Sequence, residues 1–292
     1  MTFQQLLARG PTLSDGAWGT EFLRQGLDLS EPADTWNLRY PDRVAAVARS
    51  YVAAGSCVLL TNTFRANRVT LEAAGCAANL AAINRAGVEI SRQAARGQAA
   101  VFASLGPTGK LLAAGQVSEQ QLHEVFAEQL EALAAGNPDA FLLETFSDLR
   151  EALIALAEAR RFGLPVVVSF VFDAGRHRDR TMTGVTPEQA AAAVAEGGAS
   201  AVGANCGSGI DGFLPLTRRL AAVTQLPLWV KPNAGLPEME GDRAVYRTTP
   251  SAFAAFVPAL IEAGAHFIGG CCGTNPAFIR AMAEQLDQLR CA

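Results

Sequence analysis

Histidine is scarce in this chain: the 292 residues contain three, and none stands in an H-E-x-x-H pair. That removes the commonest zinc-protease arrangement. No G-x-S-x-G elbow occurs, which removes a serine hydrolase of that kind. The first turn carries no G-x-G-x-x-G fingerprint and no G-x-x-x-x-G-K-S/T loop is present, so neither usual phosphate motif supports an open dinucleotide-binding sheet. The GPTGK stretch at 106–110 is too short for such a loop and reads as a rim turn. Charge of one sign is also missing: 24 Lys and Arg mix with 28 Asp and Glu for a formal net charge of −4. Without a basic tract or aromatic-basic interleaving, nucleic acid is not an expected partner. No apolar stretch of about 18 residues escapes Gly, Pro or charge, so no membrane span is expected. The opening MTFQQLLARGPTLSDG has no basic region followed by an apolar stretch, so it does not read as a signal peptide.

Six cysteines in a chain this long do not make a disulfide scaffold. The adjacent pair Cys271 and Cys272 is a poor disulfide, and a cytoplasmic setting is expected, where such thiols serve metals or catalysis. Cys57 reads as a buried strand residue, Cys76 as ordinary packing and Cys291 as a free tail thiol.

Short β-rich runs alternate with helical patterns along the whole length. The runs lie at 12–16, 57–64, 100–106, 140–146, 165–172, 200–206, 227–233 and 265–271. Between them, PDRVAAVARSYVAAG places Pro41 near a helix start and Gly55 just past its end. VSEQQLHEVFAEQLEALAAG offers Ser118 as a cap, and SDLREALIALAEARRFG offers Ser147 as a cap and Gly163 as a stop. Pro258 either kinks its helix or marks a first turn. Eight strand–helix units imply a parallel sheet closed into a single (β/α)₈ barrel, one domain over residues 1–292. Residues 19–40 and 234–249 read as long loops over the active face.

In such a barrel the C-terminal strand ends carry the site. Asp15 follows strand 1; Thr61, Asn62 and Thr63 finish strand 2; Glu144 and Thr145 finish strand 4. Cys206 ends strand 6, Asn233 ends strand 7, and Cys271 with Cys272 ends strand 8. A lone apolar-flanked cysteine is usually core packing. Three thiols at strand ends, each set among glycines, point instead to a three-thiolate metal site that holds and activates a substrate thiol. Thiolates favour zinc, and a catalytic zinc keeps one position exchangeable, which Asn233 is placed to fill. The C-x₂-C spacings of iron–sulfur sites are missing. Asp15 and Glu144 suit a substrate ammonium, although Asp15 is equally able to cap a neighbouring segment and Glu144 to pair with a barrel arginine. Asn62, Thr63 and Thr145 are either satisfied rim residues or substrate hydrogen-bond partners.

The segments DGAWGTEF, LLTNTFRAN, LGPTGKL, LETFSDL, GANCG, KPNAG and GGCCGTNP together resemble the homocysteine S-methyltransferase family, over nearly the whole chain. The likeness is greatest to the homocysteine-binding domain of cobalamin-dependent methionine synthase. It implies a zinc-containing (β/α)₈ barrel that methylates the sulfur of L-homocysteine to give methionine. It also implies that Cys206, Cys271 and Cys272 are the metal ligands and catalytic thiolates, with Asn233 near the fourth position. Asp15 and Glu144 are then the carboxylates that hold the homocysteine amino group. Backbone around Ala17, Trp18 and Thr145 helps to place the amino acid and meets its carboxylate. The donor is expected to be methylcobalamin on a separate corrinoid protein, or a small molecule such as S-methylmethionine or betaine. Two positions depart from the family: Trp18 stands where Met, Tyr or Phe is common, and Phe278 where a histidine is usual.

Overall fold

A computed structural model describes residues 1–28, 31–241 and 243–291. All eight expected strands form, and they are numbered here in chain order with one hairpin inserted. They are β1 (Thr12–Leu13), β2 (Val58–Leu60), β3 (Ala100–Leu105), β4 (Ala140–Phe146), β5 (Val166–Phe170), β6 (Ala201–Gly209), β7 (Leu228–Asn233) and, after the hairpin strands β8 (Glu238–Glu240) and β9 (Arg243–Val245), β10 (Ala265–Ile268). The order β1-β10-β7-β6-β5-β4-β3-β2 is parallel throughout. The Cys57 amide donates to the Leu13 carbonyl at 2.8 Å, which brings β2 back against β1 and all but closes the barrel. Burial on both faces explains why these strands read as continuous apolar runs rather than alternating ones.

The barrel interior is layered. Ala100, Ala140 and Ala201 lie at the bottom, packed on Phe3 and Leu6 of the helix Phe3–Ala8, which plugs that end. Phe102, Leu142, Val167, Trp229 and Phe267 form the next layer, with Trp229 5.9 Å from Phe102 and 5.6 Å from Phe267 between ring centroids. Side chains two residues on point the same way along a strand. The next layer up is therefore polar: Ser104, Glu144, Ser169, Asn205 and Lys231, all buried.

Helices cover the outside. Pro41–Ala53 begins at its proline, and Ser118 and Gln121 cap Glu119–Ala134 reciprocally. The cap before Leu149–Arg160 is Asp148 rather than Ser147: the Asp148 side chain accepts from the amides of Arg150 and Glu151. Pro258 opens a new helix, Val257–Glu262, instead of kinking one, because its missing N–H is spared in a first turn. Both stretches expected to be loops hold structure. Residues 19–40 contain the helices Trp18–Arg24 and Trp36–Arg39 and a 3₁₀ turn, Ala33–Thr35. Residues 234–249 contain the β8–β9 hairpin. Cys57 is half-buried just before β2 rather than within it, and Cys76 is half-buried beside a short 3₁₀ turn. The side chain of Cys291 lies outside the described residues. Among the described residues no helix is long and apolar enough to cross a membrane.

Candidate metal centre and substrate cavity

The C-terminal strand ends surround a cavity of about 340 Å³. Its lining includes the apolar Trp18, Leu27, Leu60 and Phe64 together with Glu144, Thr145, Lys231 and the three cysteines. Strand order explains the meeting of residues far apart in sequence: β7 lies between β6 and β10, so Cys206, Asn233 and the Cys271–Cys272 pair end on neighbouring strands.

The Sγ atoms of Cys206, Cys271 and Cys272 all lie within 4.8 Å of one another, with Cys206 and Cys272 at 3.8 Å. Tetrahedral zinc with bonds of about 2.3 Å spaces its sulfurs about 3.8 Å apart, so the cluster fits that ion. The Asn233 amide nitrogen donates to the Gly207 carbonyl at 3.0 Å, and its buried Oδ1 has no hydrogen-bond partner among the described residues. A buried acceptor without a donor is costly, and this one suits a fourth ligand position. Hydrogen bonds from the thiols of Cys271 and Cys272 hold Cys206 below the ordinary thiol range against burial. Donating to Cys206 pushes Cys271 and Cys272 up. Thiols bind metal as thiolates, and a divalent cation favours the ionised form of all three.

The backbone that presents them is unusual. Cys206 has φ +63° and Thr145 has φ +64°, rarely adopted by residues with a side chain. Gly273 has φ +82°, and a Cβ there would fall 2.3 Å from the Tyr246 ring, which packs directly on the cysteine turn. Burial, then the negative charge of Cys272, Cys206 and Cys271, pushes the Tyr246 phenol up to about 12, so it stays protonated.

Glu144 faces the cavity from β4. Ser104 donates its hydroxyl to Oε1, and Oε2 takes no hydrogen bond from the described residues. Burial raises the Glu144 pKa; Lys231 and the Ser104 hydroxyl oppose it. Asp15 is placed differently from its sequence-level expectation. It is fully buried and does not line the cavity. Its Oδ1 pairs with Lys231 Nζ at 2.6 Å, while Oδ2 accepts from Trp18 Nε1 at 2.7 Å and the Leu60 amide at 2.8 Å. Both oxygens are therefore spent, and the link to Leu60 clasps β1 to β2 where the strand ladder stops.

The backbone donors expected for a substrate carboxylate are spent too. The Ala17 amide donates to Thr274 Oγ1 at 3.1 Å, and the Thr145 amide to Asn205 Oδ1 at 2.9 Å. Asn62 and Thr63 resolve as rim residues: Asn62 donates to the Ala33 carbonyl and to Asn37 Oδ1, and Thr63 to the Ser104 carbonyl. Phe278 is buried against Phe253 in the helical layer, with ring centroids 5.4 Å apart.

Three residues of the site escape sequence reading. Asn205 also accepts from Ser169 Oγ, donates to Thr145 Oγ1 at 2.7 Å and reaches Cys271 Sγ at 3.9 Å, so it braces the strained Thr145 and links it to the cysteine cluster. Its only signal was its place beside Cys206 in GANCG. Lys231 stood visible in KPNAG, as a lysine in an otherwise apolar strand. Tyr246 follows the hairpin and carried no signal.

The family model described as homocysteine S-methyltransferase matches residues 12–286. Methionine synthase of Mycobacterium tuberculosis is 28% identical over 98% of this chain and 25% of its own length. Methionine synthase of Mycobacterium leprae is 29% identical over 96% of this chain and 24% of its own. The chain thus spans about a quarter of the length of these curated relatives. Among solved structures, the metallated form of the Escherichia coli homocysteine methyltransferase MmuM superposes with a TM-score of 0.80 at 24% identity, over 94% of this chain and 96% of that one. That likeness speaks for the fold.

Proposed function

The chain belongs to the homocysteine S-methyltransferase family, and from that premise we propose that it transfers a methyl group to the thiol of L-homocysteine, giving methionine. The observation that carries this reading is the convergence of three thiols and the Glu144 carboxylate on a single cavity. Cys206, Cys271 and Cys272 would hold the metal, and Asn233 Oδ1 stands beside the position that the substrate sulfur would take. Zinc, when bound, supplies the Lewis acidity that keeps a thiol ionised at neutral pH. Glu144 accepts a charge-assisted hydrogen bond from the substrate ammonium through its unspent oxygen. The apolar wall of Trp18, Leu27, Leu60 and Phe64 lowers the local dielectric, which strengthens that contact. Held at both ends, the sulfur is aimed at the cavity mouth, where the donor enters. The donor of this reading is a methylcorrinoid on a separate protein, supported by the likeness to methionine synthases. A cytoplasmic setting, which keeps the three thiols reduced, belongs to the same reading.

The test pairs zinc-loaded protein and homocysteine with methylcobalamin, a methylated corrinoid protein, S-methylmethionine or betaine, and measures methionine by mass spectrometry. Methionine should form with the corrinoid donors. Cys206→Ser, Cys271→Ser and Cys272→Ser should each lose both zinc and product, whereas Cys76→Ser should keep both. Metal-loaded protein that makes methionine from none of the four donors would contradict the reading. Success with S-methylmethionine or betaine alone would keep the reaction and replace the donor.

A further inference from the structure

Lys231 is the cationic group at the depth of Glu144 in the cavity; the other cation lining it, Arg65, is exposed at the mouth. The Lys231 side chain is 3% exposed, and its ammonium makes one hydrogen bond, to Asp15 at 2.6 Å. An ammonium carries three donors. Two make no hydrogen bond among the described residues; the ammonium lies 5.8 Å over the Trp229 ring, which offsets part of its desolvation, and a ligand anion would offset the rest. Lys231 and Glu144 belong to the same polar layer of the barrel and interact electrostatically. An α-amino acid carries its ammonium and carboxylate on one carbon, so its two partners must be neighbours, one of each sign. The amides of Ala17 and Thr145 already have acceptors. Asp15 is Lys231's counter-ion, and each of its oxygens already accepts a hydrogen bond from the protein.

We propose that Lys231 grips the α-carboxylate of the thiol substrate and makes the cavity selective for amino-acid thiols over simple aminothiols. This rests on the reading of the cavity as a homocysteine site. Glu144 and Lys231 then hold the zwitterion as two opposite charge pairs, and the thiol end is left to reach the cysteine cluster. Asp15 neutralises Lys231 when no ligand is present, and Glu144 adds a second negative charge near it.

The test uses two ligands that each lack one charge. 3-Mercaptopropylamine is homocysteine without its carboxylate, and 4-mercaptobutanoate is homocysteine without its amine. Calorimetric titration of zinc-loaded protein reads all three affinities. Lys231→Met alone would strand Asp15 as a buried unpaired charge, so the working variant is the double Asp15→Asn/Lys231→Met, with Asp15→Asn as its companion. Zinc content and a thermal melt establish that each variant is loaded and folded. Wild type should prefer homocysteine to 3-mercaptopropylamine by about thirtyfold or more. In the double variant that preference should fall to about threefold or less, with 3-mercaptopropylamine binding unchanged and 4-mercaptobutanoate binding weakened. Asp15→Asn, which keeps the lysine, should retain the preference. A double variant that keeps the wild-type preference, or that loses both homocysteine and 3-mercaptopropylamine equally, overturns the role of Lys231. So does a wild type that binds those two alike, although the homocysteine reading then stands. A wild type that binds none of the three overturns that reading itself, and the proposal with it.

Discussion

Asp15 and Glu144 are both acids at strand ends, yet their surroundings give them different work. Glu144 keeps one oxygen free toward the cavity, while both oxygens of Asp15 are tied to Lys231, Trp18 and Leu60. Glu144→Gln should therefore keep its metal and lose homocysteine affinity by about tenfold or more, about 1.4 kcal/mol. Asp15→Asn should leave that affinity within about threefold and lose stability instead. Breaking one side of a buried ion pair commonly costs about 3–5 kcal/mol. Titration calorimetry and denaturant melts on the two variants separate these outcomes, and equal affinity losses would return Asp15 to the substrate. The sequence made the acids legible because charge at the end of an apolar strand stands out. It did not disclose the Asp15–Lys231 pair, whose members lie 216 positions apart and meet only through closure of the barrel.

The rim elements that shape the cavity mouth were the least legible part of the fold. The 3₁₀ turn Ala33–Thr35 and the helix Trp36–Arg39 are shorter than two helical turns, so hydrophobic periodicity has nothing to register. Tertiary contacts hold them. Trp36 packs 5.5 Å from Phe22, and Asn37 donates to the carbonyls of Asn62 and Ile83 at 2.7 and 3.0 Å. The long helices, by contrast, announced themselves through periodicity and caps; the confusion of Ser147 with Asp148 arose because both are good capping residues one position apart. Asp34 in the rim turn gives this element a pH dependence. Burial raises its pKa from 3.8 to about 6, against the amides of Asp34 and Arg65. The folded state thus binds the proton more tightly than the unfolded chain. Its contribution is fully present below pH 3.8, falls as pH rises toward 6, and stays lost above that. The loss amounts to about 3 kcal/mol at full ionisation. Asp34→Asn should accordingly be more stable than wild type at pH 7.5, by about 1–3 kcal/mol, and no more stable near pH 4. Denaturant midpoints at the two pH values check this, and an equal difference at both would show that Asp34 is not the titrating group.

At the scale of the molecule, the barrel is a graded column. An alanine floor and an aromatic layer give way to a ring of Ser104, Glu144, Ser169, Asn205 and Lys231, and above that ring stand the three thiols and Asn233. Strand–helix alternation made the barrel readable, and glycine-flanked cysteines at strand ends made the thiol cluster readable. The order of strands then determined that the three sulfurs meet. The polar ring was not readable as a ring, since each member looks like an isolated polar residue in an apolar strand. This column gives the proposed function its form: Cys206, Cys271 and Cys272 would hold the metal, and the substrate thiol would take the fourth position, beside Asn233 Oδ1. Zinc X-ray absorption on the loaded protein, with and without saturating homocysteine, measures that directly. The account predicts three sulfurs and one lighter ligand before homocysteine, and four sulfurs at about 2.3 Å after it. Three sulfurs in the saturated complex would contradict it.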